Sequence, residues 1–299
     1  MKACVFQTDP VLLDVATNMA EVIDKIDQGR QEGADLIVFP ELALTGYFVG
    51  QHYHKVALRL DSPQIQRLVK ATEGTAVIVG FIEESPSMNF YNSALVAING
   101  RIEYAFRKLN LPNYGVFEER KIFSPGKRIP VFRYLGLNIA VFICNDVWHP
   151  SLPYLGVCQK ADIFVTILNS SDSAMGKRFS NLENWQVINT FYSRVFGIYN
   201  ISANRAGEET FSAGHSLPDL RCQRFQEEED PELPEENLFR FWGGSEIVNP
   251  YGETMVRASY YKTDVIYGGI ERDVLRRKRI MLPYLRNDDP YFTLSLIHI

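Results

Sequence analysis

Three reactive side chains stand at the ends of strand-like apolar runs. Glu41 follows LIVFP, Lys108 follows EYAFR, and Cys144 ends AVFIC. Taken singly, each has an ordinary structural explanation: a charge at a helix start, a solvated lysine and a packed cysteine. In layered α/β proteins, however, strand ends are where binding and catalytic sites are built. The three positions therefore predict one site, provided that the fold brings them together.

A thiol, a carboxylate and an ammonium group form a minimal set for covalent cleavage of a C–N bond. A thiol is a strong nucleophile only as the thiolate, so it needs a nearby base. A carboxylate serves as that base when burial raises its pKa toward neutrality. A cation holds the carboxylate in place and stabilises the oxyanion that forms when an amide carbonyl is attacked. Glu41, Lys108 and Cys144 supply all three groups.

The composition is that of a globular protein with a sizeable core, because 46% of the 299 residues are hydrophobic and 22% are charged. The net charge is −5, and the basic residues are scattered apart from a short run at 276–279, so we expect no nucleic-acid partner. No apolar run approaches the roughly 18 residues that span a membrane, and the N-terminus lacks a secretory pattern. The four cysteines are too few and too irregular for a disulfide framework or a zinc ribbon. These features predict a cytoplasmic protein without a membrane partner.

The order of apolar patterns predicts an α/β fold. Continuous apolar runs joined by helical patterns indicate crossovers between buried strands, and Asn99-Gly100 marks a hairpin turn. Mixed sheets with helices outside them explain this order better than a doubly wound fold does. We expect helices at residues 12–32, 62–73, 150–160 and 181–196.

We also expect one domain over residues 1–299. It carries an acidic insertion at about 212–240, and the centre of that insertion is QEEEDPELPEE (226–236). This segment is typical of a solvated loop or a lid.

Three sequence blocks resemble the nitrilase superfamily of carbon–nitrogen hydrolases. They are PELALTGY (40–47), RKLNLPNYGVFEERKIFSPG (107–126) and FICNDVWHP (142–150), and they occur in the family's order. Weaker likeness through ILNSS, WQVINTFYSRVFGIYNISANR and GGSEIVNPYGE extends the match over nearly the whole chain. The resemblance implies an α-β-β-α sandwich with mixed sheets, which forms four layers when it dimerises, and the enzyme that we expect uses no cofactor and no metal. The partners expected are a small amide substrate and a second copy of the chain, as a homodimer or a higher homo-oligomer.

The resemblance also implies a role for each reactive residue. Glu41 would be the general base, Cys144 the nucleophile, and Lys108 the orienting cation and oxyanion donor. The backbone N–H of Asn145 would be the second oxyanion donor. Cys144 would attack an amide carbonyl, ammonia or an amine would leave with the proton from Glu41, and water would release the thioester.

A further catalytic glutamate and a set of pocket residues complete the predicted site. The family's F-x-E position matches Glu119, with the neighbouring Glu118 as the alternative. Residues beside the three blocks are candidates for the substrate pocket: Tyr47, Tyr114, Asn145, Trp148, His149 and Ser170.

The residues after the cysteine bear on the substrate. True nitrilases favour Trp then Glu there, whereas this chain has Asn145-Asp146, which favours amides or carbamoyl compounds over nitriles. Nitrile hydrolysis by the same site remains an alternative. LPNYGVFEER and C-x-D-x-W also resemble the glutaminase domain of glutamine-dependent NAD synthetases. Because the chain carries no SGG-type ATP-pyrophosphatase motif, we expect a stand-alone amidase that acts on linear amides.

Other functions remain possible for the same residues. Cys144 and His149 would form the catalytic dyad of a papain-like site. However, the C-G-S-C-W type signature of such sites does not surround Cys144. His52 and His54 have no partner at metal-site spacing, so we expect them to be solvated. Cys144 would be a redox sensor if Cys158 resolved it. A silent binding protein of the same fold is a further alternative, against which the presence of all three reactive residues argues.

Overall fold

The computed structural model describes residues 1–114, 117–172, 181–210 and 238–296. Most of the predicted acidic insertion at about 212–240, including all of residues 226–236, lies outside the described residues. Only residues 238–240 of it are described, and they begin a strand. The interpretation of the chain as a single domain stays a prediction.

The described residues form fourteen strands and nine α-helices. The strands are β1 (Lys2–Gln7), β2 (Leu36–Val38), β3 (Ala76–Glu84), β4 (Phe90–Ile98), β5 (Arg101–Arg107), β6 (Val131–Tyr134), β7 (Leu137–Ile143), β8 (Ile163–Leu168), β9 (Tyr199–Asn204), β10 (Ala206–Thr210), β11 (Leu238–Trp242), β12 (Glu246–Val248), β13 (Thr254–Arg257) and β14 (Asp264–Gly269). The helices are α1 (Val15–Gln31), α2 (Tyr53–Val56), α3 (Pro63–Ala71), α4 (Glu119–Ile122), α5 (Ser151–Cys158), α6 (Asn181–Phe196), α7 (Arg272–Met281), α8 (Tyr284–Asn287) and α9 (Pro290–Ser295). Short 3₁₀ helices cover Gly50–His52 and Cys144–Trp148.

Two six-stranded mixed sheets form the centre of the described structure. Their strand orders are β14-β1-β2-β3-β4-β5 and β13-β12-β9-β8-β7-β6. In each sheet, three consecutive strands pair in parallel, and every other neighbouring pair is antiparallel. The parallel pairs are joined by helical crossovers, as parallel pairing requires. A separate hairpin pairs β10 with β11.

The alternation of side chains along the strands sets the layers. In β1, Ala3 and Val5 belong to the core between the two sheets, whereas Cys4 and Phe6 pack in a second cluster with residues of α1 and α3. Strand β7 divides in the same way between the intersheet core and a third cluster with residues of α5 and α6. The result is a helix–sheet–sheet–helix sandwich, which confirms the predicted fold class.

Local sequence signals account for several of the boundaries. The Ser62 hydroxyl accepts a hydrogen bond from the backbone N–H of Ile65 at 3.4 Å and caps α3, whose first residue is a proline. Asn99 and Gly100 both have positive φ angles, of 50° and 75°, as the tight turn between β4 and β5 requires. The predicted helices at 12–32, 62–73, 150–160 and 181–196 correspond to α1, α3, α5 and α6. Among the described helices, none is both long and apolar enough to cross a bilayer.

Candidate active site

Glu41 lies in the turn that follows β2, after Phe39 and Pro40, and is fully buried. Its Oε1 accepts hydrogen bonds from Lys108 Nζ at 2.8 Å and from Asn92 Nδ2 at 2.7 Å. Its Oε2 accepts the backbone N–H of Asn169 at 2.8 Å. Because these donors come from β4, from the end of β5 and from the end of β8, the carboxylate joins the two sheets.

The backbone at Glu41 is held as firmly as its side chain. Asn169 Nδ2 donates to the Glu41 carbonyl oxygen at 2.8 Å. Gly80 of β3 lies directly against the same turn, since a Cβ there would stand 2.3 Å from the Leu42 nitrogen and 2.6 Å from the Glu41 Cα. Glycine therefore permits a contact between β3 and the turn that any side chain would displace.

Lys108 bridges two buried carboxylates. Its Nζ donates to Glu41 Oε1 at 2.8 Å and to Glu119 Oε1 at 2.7 Å, and its side chain is fully buried. Burial alone would lower the pKa of Lys108, but the Glu119 and Glu41 charges outweigh burial and hold that pKa well above its ordinary value. The ammonium is therefore charged at neutral pH.

Glu119, and not its neighbour Glu118, lies in this cluster. Glu119 begins α4, is buried, and also accepts a hydrogen bond from the Tyr47 hydroxyl at 2.7 Å. Burial raises the pKa of Glu119 against the opposing effect of the Lys108 ammonium. Glu118 is partly exposed and pairs with Lys121 on the surface of α4.

Cys144 follows β7 and begins the 3₁₀ helix with a φ of +45°, a left-handed conformation that is strained for a residue with a side chain. It is partly exposed, whereas Glu41, Lys108 and Glu119 are buried. Burial raises the pKa of the Cys144 thiol well above its ordinary value, and the Glu41 charge raises it further. The thiol therefore keeps its proton at neutral pH, and it would need a base to act as a nucleophile.

Asp146 joins the chain after Lys108 to the strand that carries Cys144. Its Oδ1 accepts the backbone N–H groups of Leu109 at 3.0 Å and Asn110 at 2.8 Å, and its Oδ2 accepts that of Ile143 at 3.1 Å. Burial raises the pKa of Asp146 to about 7, against the opposing backbone hydrogen bonds. Sequence reasoning noted the C-x-D-x-W spacing but gave this carboxylate no role.

Aromatic side chains predicted for the pocket lie beside Glu119. Tyr47 and Tyr114 each contact Phe117 edge to face, with ring centroids 6.1 and 5.8 Å apart. Tyr114 is 46% exposed, and its hydroxyl donates to Asn145 Oδ1 at 3.0 Å. The Asn145 side chain is therefore bonded within the protein, which leaves its backbone N–H as the group proposed for substrate.

The other predicted pocket residues lie in different surroundings. Trp148 packs edge-on against Trp185 of α6, with ring centroids 5.7 Å apart, in the helix-covered cluster of the second sheet. His149 is exposed at the end of the 3₁₀ helix. Ser170 is buried, and its backbone N–H donates to Asn204 Oδ1 at 2.9 Å. The pocket roles of these residues stay predictions.

The structure also locates the groups of the alternative interpretations. His52 and His54 are exposed, and no group of three His, Cys, Asp or Glu residues in the described ranges could hold a metal ion. Cys158 is the last residue of α5, where its thiol contacts the Tyr154 side chain.

Comparison with known proteins gives a family match over most of the chain. The model of the carbon-nitrogen hydrolase family matches residues 2–280. A glutamine-dependent NAD(+) synthetase from Acinetobacter baylyi is 26% identical over 280 residues, which is 93% of this chain and 46% of the synthetase. The chain thus spans about half the length of that relative.

Two further proteins match along nearly their whole length. An N-carbamoylputrescine amidase from Solanum tuberosum is 24% identical over 89% of this chain and 85% of the amidase. A solved structure of an amidase variant from Nesterenkonia sp. AN1 superposes with a TM-score of 0.76 and 17% identity, and covers 99% of this chain and 96% of that one. In that structure, the active-site cysteine carries the acetamide moiety of fluoroacetamide.

Replacing Asp146 by Asn tests whether this carboxylate aligns the site. In asparagine, an NH₂ group replaces one carboxylate oxygen and cannot accept a hydrogen bond from the backbone N–H that this oxygen binds. A buried N–H left without an acceptor costs about 1–3 kcal/mol. We expect kcat to fall at least about tenfold as the Leu109–Asn110 segment moves. Asp162→Asn is the control, because Asp162 Oδ2 also accepts a backbone N–H, that of Asn138 at 2.8 Å. The control should lose stability and keep kcat; equal losses of kcat in both variants would contradict the assignment.

The same variant has a predicted pH signature in stability. The pKa of Asp146 is higher in the folded chain, at about 7, than its ordinary value of 3.8. Its contribution to stability is therefore full below about pH 4 and is lost as the pH rises through about 7. The free energy of unfolding, measured with urea, should fall less between pH 5 and pH 8 in Asp146→Asn than in the wild type. An equal fall in both proteins would contradict the raised pKa of Asp146.

Proposed function

Because the chain belongs to the carbon–nitrogen hydrolase family, we propose that it hydrolyses a small linear amide or carbamoyl compound through a thioester on Cys144. The observation that carries this proposal is the buried Lys108 ammonium, which binds Glu41 and Glu119 at 2.8 and 2.7 Å. All three charged groups act electrostatically on the partly exposed Cys144 thiol. That arrangement supplies a base, a nucleophile and a cation in one place.

The first half of the reaction forms the thioester. Glu41 takes the thiol proton as the Cys144 sulfur attacks the carbonyl carbon, and the carbonyl oxygen becomes an oxyanion. A lysine ammonium has three N–H donors, and two from Lys108 go to Glu41 and Glu119. The third N–H is available to the oxyanion, together with the backbone N–H of Asn145. When the tetrahedral intermediate collapses, Glu41 returns the proton to the nitrogen and ammonia or an amine leaves.

The second half releases the acid. Glu41, again a carboxylate, takes a proton from water, which attacks the thioester carbon. The carboxylic acid departs and the thiol of Cys144 is restored with that proton. Glu119 Oε2 is buried and has no hydrogen-bond partner among the described residues. We assign this oxygen to the amide N–H of the substrate, which orients the leaving nitrogen toward Glu41.

The substrate class rests on two sequence relationships. Asn145-Asp146 after the nucleophile and the similarity to an N-carbamoylputrescine amidase support amides or carbamoyl compounds over nitriles. A second candidate substrate is the ω-amide of glutamine. It is favoured by the similarity to a glutamine-dependent NAD(+) synthetase, which covers 93% of this chain. Both substrates use the same thioester chemistry.

An ammonia-release assay with a panel of primary amides, carbamoyl compounds, nitriles and glutamine tests the proposal. Wild type should release ammonia from an amide or a carbamoyl compound, and intact-protein mass spectrometry should detect the acyl adduct. Cys144→Ala should show neither, whereas the matched control Cys158→Ala should keep both. If no compound released ammonia, the result would favour the alternative of a catalytically inactive binding protein with the same fold. Turnover by Cys144→Ala would overturn the mechanism.

We also propose that the chain is a cytoplasmic, single-domain enzyme that needs no cofactor and forms a homodimer or a higher homo-oligomer. The outer face of α6 supports the assembly, because Val187 and Phe191 are 66% and 50% exposed there, and large apolar exposure marks interaction surfaces. Light scattering at micromolar concentration should give at least twice the chain mass of 34.2 kDa. Phe191→Glu should reduce that mass. A monomeric wild type would contradict the proposal.

A further inference from the structure

A buried glutamate outside the proposed catalytic set holds the backbone at Tyr47. Glu209 lies in β10, and its side chain is almost fully buried. Its Oε1 and Oε2 accept the Tyr47 backbone N–H at 3.0 and 3.1 Å, and Oε2 also accepts that of Phe48 at 2.9 Å. A carboxylate thus binds a backbone segment that lies 162 residues away in the chain.

The glycine of the PELALTGY block makes room for this carboxylate. Gly46 has a φ of +75°, and a Cβ at that position would stand 2.7 Å from Glu209 Oε1. A side chain would therefore be strained and would also push Glu209 away. The contact gives a physical reason for glycine immediately before Tyr47.

Arg205 compensates the buried charge of Glu209. The guanidinium is fully buried, forms an ion pair with Glu209 through Nη1, and donates to Asp9 Oδ1 at 2.7 Å through Nη2. It also lies over the Phe241 ring of β11, 4.1 Å from the centroid. A charge-assisted hydrogen bond to a fixed guanidinium gives the carboxylate one orientation.

The contacts continue from Tyr47 into the candidate active site. The Tyr47 hydroxyl donates to Glu119 Oε1 at 2.7 Å, and Lys108 Nζ donates to the same oxygen at 2.7 Å. Arg205, Glu209, Tyr47, Glu119 and Lys108 therefore form one continuous series of polar contacts. Aromatic side chains pack next to these contacts: the ring centroids of Phe48 and of Phe239 in β11 are 4.4 Å apart.

We propose that Glu209 is a positioning residue for the reaction: its carboxylate fixes the Tyr47 backbone, so that the Tyr47 hydroxyl holds Glu119 and, through it, the Lys108 ammonium. This inference rests on the proposed function. Glu209 itself lies against backbone N–H groups and Arg205, so it acts through Tyr47. Its loss should change kcat much more than KM.

A double-mutant cycle with Glu209→Gln and Tyr47→Phe tests this coupling. Each single variant should lower kcat about tenfold or more, with KM changed by less than about threefold. The kcat of the double variant should be about equal to that of the slower single variant, because both changes release the same contact to Glu119. Effects on kcat that multiply in the double variant, or an unchanged kcat in Glu209→Gln, would overturn the proposal.

Glu246→Gln is the matched control for loss of a buried ion pair. Glu246 of β12 is buried and pairs with Arg257 at 2.7 Å, in the second sheet. This variant should be destabilised and keep kcat. Glu209→Asp, which retains the charge, should recover part of the lost kcat and guards against a variant that fails to fold. No recovery in a folded Glu209→Asp, together with a comparable fall of kcat in the control, would indicate a merely structural role.

A second readout separates this inference from the proposed function. The pH dependence of Cys144 alkylation by iodoacetamide needs no amide turnover, and the Glu119 charge acts on the Cys144 thiol. Glu209→Gln and Tyr47→Phe should shift the alkylation profile in the same direction and by the same amount. If wild type turns over no amide but the two shifts agree, the proposed function fails and the positioning role stands. Unequal shifts, or none, would overturn the positioning role.

Discussion

A single buried ammonium, that of Lys108, is the interaction on which the candidate site depends. Two carboxylates, Glu41 and Glu119, lie within 2.8 Å of it, and none of the three side chains is more than slightly exposed. Without the cation, two like charges would face each other in the protein interior, and removing one partner of a buried pair costs about 3–5 kcal/mol. The ammonium thus holds the two carboxylates together through charge-assisted hydrogen bonds.

The sandwich brings the site together from strand ends of both sheets. The first sheet supplies Glu41 after β2 and Lys108 after β5, and the second supplies Cys144 after β7 and Asn169 after β8. Hydrogen bonds across the sheets then fix their relative positions, notably from Asn169 to the Glu41 carboxylate. Asp146 performs the same task for the backbone that follows Lys108. The chemistry therefore depends on the packing of one sheet on the other.

Residue types and strand ends in the sequence predict the reactive residues well. They predict less well the residues that hold those side chains in place. Glu41, Lys108 and Cys144 stand out because each lies at the end of a strand-like run, and the resemblance to the family's F-x-E position selects Glu119. Asn92 and Asn169 carry no such signal, since they contact Glu41 from 51 and 128 positions away in the sequence.

Sequence adjacency does not predict which contacts the pocket candidates make. The pocket role of Tyr47 stays a prediction, and its hydroxyl donates a hydrogen bond to Glu119 Oε1. Trp148 lies close to Cys144 in the sequence, and its ring packs against Trp185 of α6, because successive residues of a 3₁₀ helix face different directions. Hydrophobic periodicity does not predict short strands such as β6 and β10, because four or five residues give too few alternations of apolar and polar side chains.

The most direct test of the Lys108-centred account compares turnover with thiol alkylation in Glu41→Gln. General acid–base catalysis contributes about 10²–10⁴-fold, so ammonia release should fall at least about a hundredfold. Alkylation of Cys144 by fluoroacetamide needs no proton on a leaving nitrogen, and removing the Glu41 charge takes away one cause of the raised pKa of the thiol. Alkylation should therefore persist while turnover is lost. Near-native turnover would contradict the account, and loss of both reactions together with a lowered free energy of unfolding would assign Glu41 a structural role instead.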